Sequence, residues 1–362
     1  MRVLHLQQQP CMRALKYAVG LRAVRTELEL GFAYRGRTLT EFYGSGDELF
    51  DHWWRLGEDL AGDLERVIAE WEPDLIHSHN LPDLLTVLAL ELTDVPVIHD
   101  VHDMQSLRST PYEDGFPDPG DPAELERAAV EGCAGLITVS DVLLGELAAR
   151  YELPAHTRVH PNYALARDLP ATLPEPTDGP PRLVYQGTLS SSGGHYDLHE
   201  IFEAIAAQEI ELHVYPAREA PSYRPLAGVT VHDPLPPAAL MAALPSYDFG
   251  WAGFNAKLNA AHLDTALPNK AFEYVGCGLP VVTLRHRALA RLVEEEGIGL
   301  TLDRVEELGA ALEAVDRRAV RTRVAAARGD FTVEGNMGPV VGLYDELSLT
   351  RPARTPTGPP AL

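Results

Sequence analysis

Short runs of apolar residues alternate along the chain with longer stretches in which apolar residues recur every three or four positions. The short runs are typical of strands buried in a parallel sheet, and the longer stretches are typical of amphipathic helices. In the first half, strands are predicted at 2–6, 74–79, 95–100 and 135–140. Helices are predicted at 12–30, 47–70, 81–93, 123–131 and 141–151. This alternation predicts a doubly wound parallel sheet.

A second series of strands and helices begins beyond a proline-rich segment. Residues 169–181 hold five prolines and show no hydrophobic period, which is typical of a semi-rigid linker. Strands are predicted beyond it at 182–187, 210–215, 229–233, 247–252, 279–284 and 298–302. Helices are predicted at 196–208, 236–245, 268–277 and 286–296, then to about 328 and near 336–349. Two doubly wound sheets predict a ligand cleft at the C-terminal ends of their strands.

The chain of 362 residues is too long for one ordinary hydrophobic core, so two domains are expected. The predicted units are an N-terminal domain (1–164), a linker (165–181), a C-terminal domain (182–330), a last helix (331–350) and a disordered tail (351–362). The acidic, proline-rich stretch 110–122 is expected to be a mobile surface loop.

The charge of the chain argues against nucleic acid as a partner. It has 30 basic and 53 acidic residues, a net charge of −23 at pH 7, whereas nucleic-acid binding needs a basic face. The charge is uneven, because residues 1–40 hold seven basic and two acidic side chains.

Basic residues are concentrated in the predicted helix 12–30, where they alternate with apolar residues; they are Arg13, Lys16, Arg22 and Arg25. This pattern is typical of a helix lying on an anionic interface, and equally of a solvated helix face above an apolar stripe. We favour the second interpretation. A weak contact of residues 12–37 with a membrane surface or an anionic acceptor stays the alternative.

The three cysteines indicate a reduced compartment. Cys11, Cys133 and Cys277 are far apart and odd in number, which argues against a disulfide framework or a zinc knuckle. No apolar run reaches the roughly 18–20 residues that a membrane span needs. The N-terminus is interpreted as a strand and not as a signal peptide. We therefore expect a cytoplasmic protein, in the alternative peripheral at the inner membrane face.

The segment LPNKAFEYVGCGLPVV (267–282) carries the strongest chemical pattern. Pro268 suits a helix start, and the free N–H groups of a first helical turn form a site for an anion such as a diphosphate. Lys270 adds a cation in that turn, and Glu273 lies on the same helix face, where its carboxylate can reach sugar hydroxyls. The alternative is an ordinary capped helix with a surface ion pair.

This segment closely resembles the donor-site helix of glycosyltransferase family 4, retaining enzymes of the GT-B fold that use nucleotide-sugars. About seven blocks resemble the family in the right order over residues 70–302, among them EPDLIHSHNLPDLL (72–85), VPVIHDVHDM (95–104), RVHPNYAL (158–165) and RLVYQGTLS (182–190). The resemblance implies an α/β GT-B fold, in which two Rossmann-like doubly wound domains face a central cleft. It also implies that the last helix crosses back onto the N-terminal domain.

The resemblance also implies roles for single residues. Glu273 would bind the ribose hydroxyls of the donor, with Asn269 and Lys270 beside it. Gly187 and Thr188 would approach the diphosphate. His102 would lie near the transferred sugar and the reacting phosphate. The remaining implied positions are Asn162 at the interdomain turn and, on the acceptor side, His79, Asp103, Arg13 and Lys16.

The chain departs from the family pattern at three places. Thr265, with Asp264 beside it, stands where the family has the first glutamate of its donor motif. The loop after Gly187 lacks the usual basic pair, so that His195 is its only candidate cation and Lys270 is expected to compensate. The first strand is followed by QQQPCMRALK (7–16) where the family has a glycine pair.

Histidines and carboxylates cluster at the ends of two predicted strands. They are His77, His79, His99, Asp100, His102 and Asp103. Their residue types suit a metal-dependent hydrolase, and equally histidines that bond backbone carbonyls. The resemblance favours the second, since GT-B transferases generally need no bound metal for chemistry.

Together these observations predict a retaining glycosyltransferase. It would move a hexose from a UDP- or GDP-sugar to a hydroxyl acceptor, such as a glycan, a glycolipid or a small metabolite, without a cofactor. The resemblance implies that the leaving phosphate helps to deprotonate the acceptor, so the protein's main contribution would be electrostatic. Two alternatives remain: a GT-B enzyme acting on a nucleotide-sugar alone, as an epimerase or hydrolase, and a scaffold that only binds.

Overall fold

The computed structural model describes residues 1–81, 83–110, 120–174 and 179–349. Within these ranges the chain forms two parallel sheets, each with an apolar cluster on both faces. The α/β fold class predicted from the sequence is confirmed. The tail and most of the predicted loop 110–122 lie outside the described residues.

The first sheet has seven parallel strands within the described ranges. They are β1 (Arg2–Gln7), β2 (Glu29–Tyr34), β3 (His52–Arg55), β4 (Leu75–His79), β5 (Val97–Val101), β6 (Gly135–Thr138) and β7 (His156–Val159). Their spatial order is β3-β2-β1-β4-β5-β6-β7. The helices between them are α1 (Met12–Val24), α2 (Leu39–Tyr43), α3 (Leu60–Trp71), α4 (Leu84–Leu92), α5 (Pro122–Gly132) and α6 (Asp141–Ala148).

The second sheet has six parallel strands within the described ranges. They are β8 (Arg182–Gly187), β9 (Glu211–Pro216), β10 (Val229–Val231), β11 (Phe249–Trp251), β12 (Val281–Leu284) and β13 (Gly299–Leu302). Their order is β10-β9-β8-β11-β12-β13. The helices are α7 (His199–Ala206), α8 (Pro237–Ala243), α9 (Ala260–Leu263), α10 (Asn269–Gly276), α11 (Arg287–Glu296), α12 (Leu308–Ala314) and α13 (Arg317–Ala327).

Two last helices pack against the first sheet. They are α14 (Val333–Asn336) and α15 (Gly338–Leu349). Their side chains Val333, Met337 and Tyr344 belong to the same apolar cluster as Val3 in β1. The chain therefore returns to its N-terminal half after the second sheet. The domain boundaries drawn from the sequence stay a prediction.

The sequence prediction was wrong at the edges of the first sheet. The helix expected over 12–30 ends at Val24, and β2 begins at Glu29. The helix expected over 47–70 contains β3 in its first part, and only its second part is helical. β7 was not predicted. Both β3 and β7 are edge strands, and their half-buried side chains give only a weak apolar signal.

The helix α1 is surrounded by protein. Every residue from Arg13 to Leu21 is buried, because the sheet covers one side and α14 approaches the other. At Gly20 a Cβ atom would lie 2.2 Å from the Met337 side chain, so a glycine permits this close approach. The amphipathic surface helix expected from the sequence is therefore a buried helix, and its polar side chains need partners inside the protein.

Candidate functional site

The N-terminus of α10 lies at the C-terminal edge of the second sheet. Pro268 is the N-cap residue, with an extended backbone, and Asn269 begins the helix. The N–H groups of the first helical turn have no partner within the helix and favour an anion. Lys270 and Glu273 follow one turn apart. The local geometry predicted for this segment is therefore present.

The side chain of Lys270 is buried without a hydrogen-bond partner among the described residues. It is 7% exposed, and its Nζ lies 4.1 Å from the ring centroid of Tyr185 and 4.9 Å from that of Phe254. Burial lowers the pKa of Lys270 to about 7, against the attraction of Glu273. A buried amine with only aromatic rings around it has a large free energy to gain from an anion.

Strand β8 ends beside this amine. Gly187 has a φ of 131°, and a Cβ atom there would lie 3.3 Å from Nζ of Lys270. Glycine both permits this backbone conformation and keeps the space beside the amine open. Gln186, the preceding residue, donates a hydrogen bond from Nε2 to the Glu273 carboxylate. The strand thus holds the glutamate at a fixed place next to the buried lysine.

Side chains of the N-terminal domain reach this helix across the cleft. Lys16 of α1 donates from Nζ to Oδ1 of Asn269 at 2.6 Å and to the carbonyl of Asn162 at 3.1 Å. Asn162 in turn donates from Nδ2 to the carbonyl of Leu267 at 2.7 Å. Burial lowers the pKa of Lys16 to about 8, against the attraction of Glu273. Two of the three lysines of the chain are therefore buried around one helix end.

Arg13 and His79 belong to a buried network of charged and polar side chains. Arg13 donates to both carboxylate oxygens of Asp100, at 2.7 and 2.8 Å, and is 4% exposed. His79 is fully buried, and its Nδ1 lies 3.1 Å from Oδ2 of Asp100. Burial alone would raise the pKa of Asp100, but Arg13 and the neighbouring histidines hold it well below its usual range. The acceptor-side role expected for these two residues stays a prediction.

Three buried histidines of the first sheet come together beneath the cleft. They are His5, His77 and His79, and ligand atoms of the three lie within 4.8 Å of one another. The rings are nearly parallel, with 16° between His77 and His79 and 17° between His5 and His79. Nδ1 of His5 and Nε2 of His79 face each other at 3.0 Å, a hydrogen-bond distance, and the expectation that the chemistry needs no metal stays a prediction. The arrangement suits hydrogen bonding.

The hydrogen bonds of these histidines form a directed series. Because the ionised Asp100 accepts from Nδ1 of His79, the Nε2 of His79 is free to accept from Nδ1 of His5 at 3.0 Å. His77 bonds through Nδ1 to the hydroxyl of Tyr344 in α15 at 2.6 Å. Burial, reinforced by His77, lowers the pKa of His79 to about 3. Nε2 of His77 lies 3.7 Å from Oδ2 of Asp100, so His77 stands between the last helix and the Asp100–Arg13 pair.

A second cluster bridges the cleft beside β5. Oδ1 of Asp103 lies 3.4 Å from Nε2 of His262 in α9. Asn259 accepts from the backbone N–H of Ser109 at 2.9 Å and donates to the hydroxyl of Thr110 at 2.8 Å. Burial would raise the pKa of Asp103, but His262 and other nearby bases lower it. The loop after β5 is thereby held against the loop that precedes α10.

His102 and His195 lie at this second cluster. Nδ1 of His102 is buried and has no hydrogen-bond partner among the described residues, and burial lowers its pKa. Burial, with Arg108 and His262 nearby, lowers the pKa of His195 to about 4. At this pKa the imidazole of His195 is neutral at pH 7 when no ligand is bound, and its role as the cation of the loop after Gly187 stays a prediction.

Three further predicted residues are engaged elsewhere. Oδ1 of Asp264 accepts from the backbone N–H of Arg287 at the start of α11. The Thr265 hydroxyl donates to the carbonyl of His262, and Thr265 is 1% exposed. The side chain of Thr188 is exposed, and its carbonyl accepts from the Tyr185 hydroxyl. The structure therefore brings Lys270, Glu273, Asn269 and Gly187 together, but not Asp264 or Thr265 with them.

Other residues of the site were not predicted from the sequence. They are Gln186, Tyr185, Phe254, Asn259 and His262. Gln186 lies 87 positions from its partner Glu273, and no local pattern records such a contact. Phe254 is one of nine phenylalanines and Tyr185 is one of thirteen tyrosines, and neither stands in a local pattern that would single it out. His262 lies close in sequence to the donor motif, which was the one signal that could have selected it.

Arg22 in α1 and Arg25, which follows the helix, are partly exposed and bond protein groups. Arg22 donates to the carbonyls of Leu28 and Leu49. Arg25 bonds Asp345 in α15 at 3.0 Å. The favoured interpretation, a solvated helix face, does not describe Arg13 and Lys16, which are buried, and contact with a membrane or an anionic acceptor stays a prediction. Among the described helices, none combines the length and the apolar character that crossing a membrane demands.

Two family models match the chain. Residues 12–163 match Glycosyltransferase Family 4, and residues 189–329 match the C-terminal domain of the glucosyltransferase 3-like proteins. The matches leave out residues 1–11, 164–188 and 330–362. No curated protein sequence matches this chain.

Solved structures resemble the chain over nearly its whole length. A sucrose-phosphate synthase from Thermosynechococcus elongatus has a TM-score of 0.71 at 15% identity, with 97% of this chain and 100% of that chain covered. A glycosyltransferase from Rickettsia africae has a TM-score of 0.71 at 11% identity, covering 97% and 99%. HepE from Anabaena, solved with UDP and glucose, has a TM-score of 0.62 at 16% identity, covering 97% and 99%. From these matches and the two sheets, the chain is a glycosyltransferase of the GT-B fold that resembles family 4.

Proposed function

We propose that the protein transfers a hexose from a nucleotide-diphosphate sugar to a hydroxyl acceptor with retention of configuration. The observation that carries the proposal is the amine of Lys270, which is buried, unpartnered among the described residues and placed against Gly187. A diphosphate at the end of β8 would bond this amine and the first-turn N–H groups of α10 together. Burial of the pair would strengthen their attraction.

Glu273 and Lys16 would complete the donor site. The carboxylate of Glu273, held by Gln186, is placed to accept hydrogen bonds from the ribose hydroxyls. Lys16 reaches Asn269 from the other domain, so it adds positive charge on the far side of the helix end. This contact also links binding of the donor to the position of the N-terminal domain. The two lysines together would replace the basic pair missing after Gly187.

The reaction would need no protein nucleophile. The bond between the sugar C1 and the donor phosphate oxygen breaks, the acceptor oxygen bonds to C1, and the acceptor proton passes to the leaving phosphate. Lys270 would stabilise the charge that develops on that phosphate. The cluster of Asp103, His262 and Asn259 closes one side of the cleft, which would exclude water. His102 would face the sugar as a neutral imidazole.

UDP-glucose is the first donor to test, because HepE was solved with UDP and glucose. The three cysteines are free, which suits the reducing cytoplasm as the place of reaction. Acceptors with an accessible hydroxyl on a glycan, glycolipid or small metabolite are the class to screen.

A thermal-shift panel of UDP-, GDP-, ADP- and dTDP-sugars tests the donor site. At a hundredfold excess over Kd, a ligand that binds only the native state adds about 2.7 kcal/mol to its stability. We expect a shift with one nucleotide class that is lost in Glu273→Gln. The control is Glu295→Gln, which removes an exposed carboxylate from α11 and should keep the shift. No shift with any donor, or an unchanged shift in Glu273→Gln, would contradict the proposal.

A further inference from the structure

A pocket of about 650 Å³ lies at the edge of the first sheet, apart from the donor site. It is lined where three neighbouring strands end: Gln9 follows β1, Gly36 and Arg37 follow β2, and Gly57 follows β3. These are C-terminal strand ends, the edge at which parallel sheets bind ligands. The donor groups reach the same cleft from the second sheet. The pocket therefore belongs to the N-terminal side of the cleft.

Arginines dominate the lining of this pocket. Arg35, Arg37 and Arg55 contribute to it, against one carboxylate, that of Glu58. Arg35 bonds Glu58 at 2.9 Å, but the glutamate side chain is 94% exposed, so solvent screens this pair. The side chain of Arg55 has no hydrogen-bond or ion-pair partner among the described residues. In a chain of net charge −23, this concentration of positive charge sets the pocket apart.

The backbone of the pocket is held in one arrangement. The side-chain amide of Gln9 accepts from the backbone N–H of Arg37 and donates to its carbonyl, both at 3.0 Å. A Cβ atom on Gly36 would lie 2.2 Å from Oε1 of Gln9, so a glycine is needed for this contact. The guanidinium of Arg37 lies over the ring of Phe42 at 4.3 Å. A fixed backbone and the contact of Arg37 with Phe42 reduce the entropy that this arginine loses on binding.

Two contacts connect the pocket with the reacting groups. Phe42 also lies 5.9 Å from the guanidinium of Arg218, which belongs to the donor half of the chain. Gln7, the last residue of β1 before the loop that carries Gln9, donates from Nε2 to the carbonyl of Asn80 at 3.1 Å. Oδ1 of Asn80 accepts from the backbone N–H of His102. A molecule anchored in the pocket would extend over this loop toward His102.

We propose that the pocket binds an anionic group, a phosphate or a carboxylate, of the acceptor. The assignment rests on the proposed function, since it concerns the second substrate of the same reaction. Guanidinium groups match the planar, paired oxygens of both anions. The proposal takes up the anionic-acceptor alternative considered for residues 12–37 and assigns it to Arg35 and Arg37 at the end of β2, and not to α1.

Isothermal titration of the full chain tests this pocket. The soluble probes are inorganic phosphate, glucose 6-phosphate and glucuronate. Phosphatidylcholine vesicles with and without phosphatidylglycerol distinguish a lipid headgroup from a soluble anion. The test variant is Arg37→Gln with Arg55→Gln. The matched control is Arg285→Gln with Arg304→Gln, which removes the same charge from exposed arginines of the other domain.

We expect wild type to bind at least one probe, and the test variant to bind it about tenfold more weakly or worse, as lost charge-assisted bonds imply. The control should stay within about twofold. Absence of binding to every probe, equal binding by the test variant, or an equal loss in the control would overturn the proposal. UDP affinity is measured in parallel for wild type, the test variant and the control. If none of the three binds UDP, the result contradicts the donor site and not this pocket.

Discussion

Arg13 and Lys270 are both buried cations on the floor of one cleft, but their surroundings are opposite. Arg13 donates five hydrogen bonds, two of them to Asp100. Lys270 has two aromatic rings and no hydrogen-bond partner among the described residues. The pKa of Arg13 is raised, since Asp100 outweighs burial, whereas burial lowers the pKa of Lys270 to about 7.

Under the proposed function, this difference makes Arg13 a structural charge and Lys270 a charge that binds the donor. A buried ion whose bonds are all made contributes to one arrangement of the fold, and removing its partner leaves an uncompensated charge. A buried amine without a partner weakens the fold and gains most when an anion arrives. We therefore expect substitutions around Arg13 to lower the stability of the fold, and substitution of Lys270 to lower the affinity for the donor.

The largest expected effect on stability comes from removing the carboxylate that pairs with Arg13. Asp100→Asn leaves the Arg13 guanidinium buried without its carboxylate, and we expect the free energy of unfolding to fall by about 3–5 kcal/mol. Urea denaturation measures it. Asp345→Asn breaks the partly exposed pair with Arg25 and should cost less than about 1 kcal/mol. A loss of similar size in both variants would remove the distinction between the two pairs.

A smaller effect on stability, but a clear effect on binding, is expected for the unsatisfied cation. Lys270→Met keeps the length of the side chain without its amine, so stability should stay within about 1 kcal/mol of wild type or rise. Affinity for the nucleotide diphosphate should fall about tenfold or more. Lys257→Met, at an exposed position paired with Glu200, is the control. If Lys270→Met were destabilised but bound the nucleotide normally, Lys270 would be a structural charge and not a ligand-binding one.

The smallest expected effect concerns Tyr344 of α15, which bonds His77 beside the buried Asp100–Arg13 pair. Tyr344→Phe removes the hydrogen bond to His77 and should cost about 1–2 kcal/mol. Its cost should not add to that of Asp100→Asn, because both act on one network. Tyr151→Phe, which removes a bond to Glu126 in another cluster, should add. Full additivity in both double variants would mean that α15 is not coupled to Asp100.

The sequence predicted the central elements of the fold better than the edges. β4, β5 and β8 carry continuous apolar runs because both faces of these strands are buried, and their bounds agree with the prediction within two residues. β3 and β7 lie at the edges and are only half-buried. Their short, mixed sequences resemble helix and loop as much as strand, so their identity depends on pairing with a distant neighbour.

The same limit applies to the site. The segment around Lys270 and Glu273 is local, so helix geometry alone placed both residues together. The burial of Lys16 was not predicted, because the charge pattern of α1 says nothing of α14 packing against its outer side. The partners Gln186 and Tyr185 come from another strand. These residues could not be predicted, because their contacts join segments that lie far apart in the chain.

Proton uptake on donor binding tests the central claim, that Lys270 holds the diphosphate, most directly. At pH 8 an amine of pKa about 7 is largely neutral, and a bound diphosphate would raise its pKa and draw in a proton. Calorimetry in two buffers of different ionisation enthalpy, with the nucleotide preferred in the donor panel, counts the protons. We predict that wild type takes up about 0.9 proton more than Lys270→Met, while Lys257→Met equals wild type. Equal uptake by wild type and Lys270→Met would contradict the account.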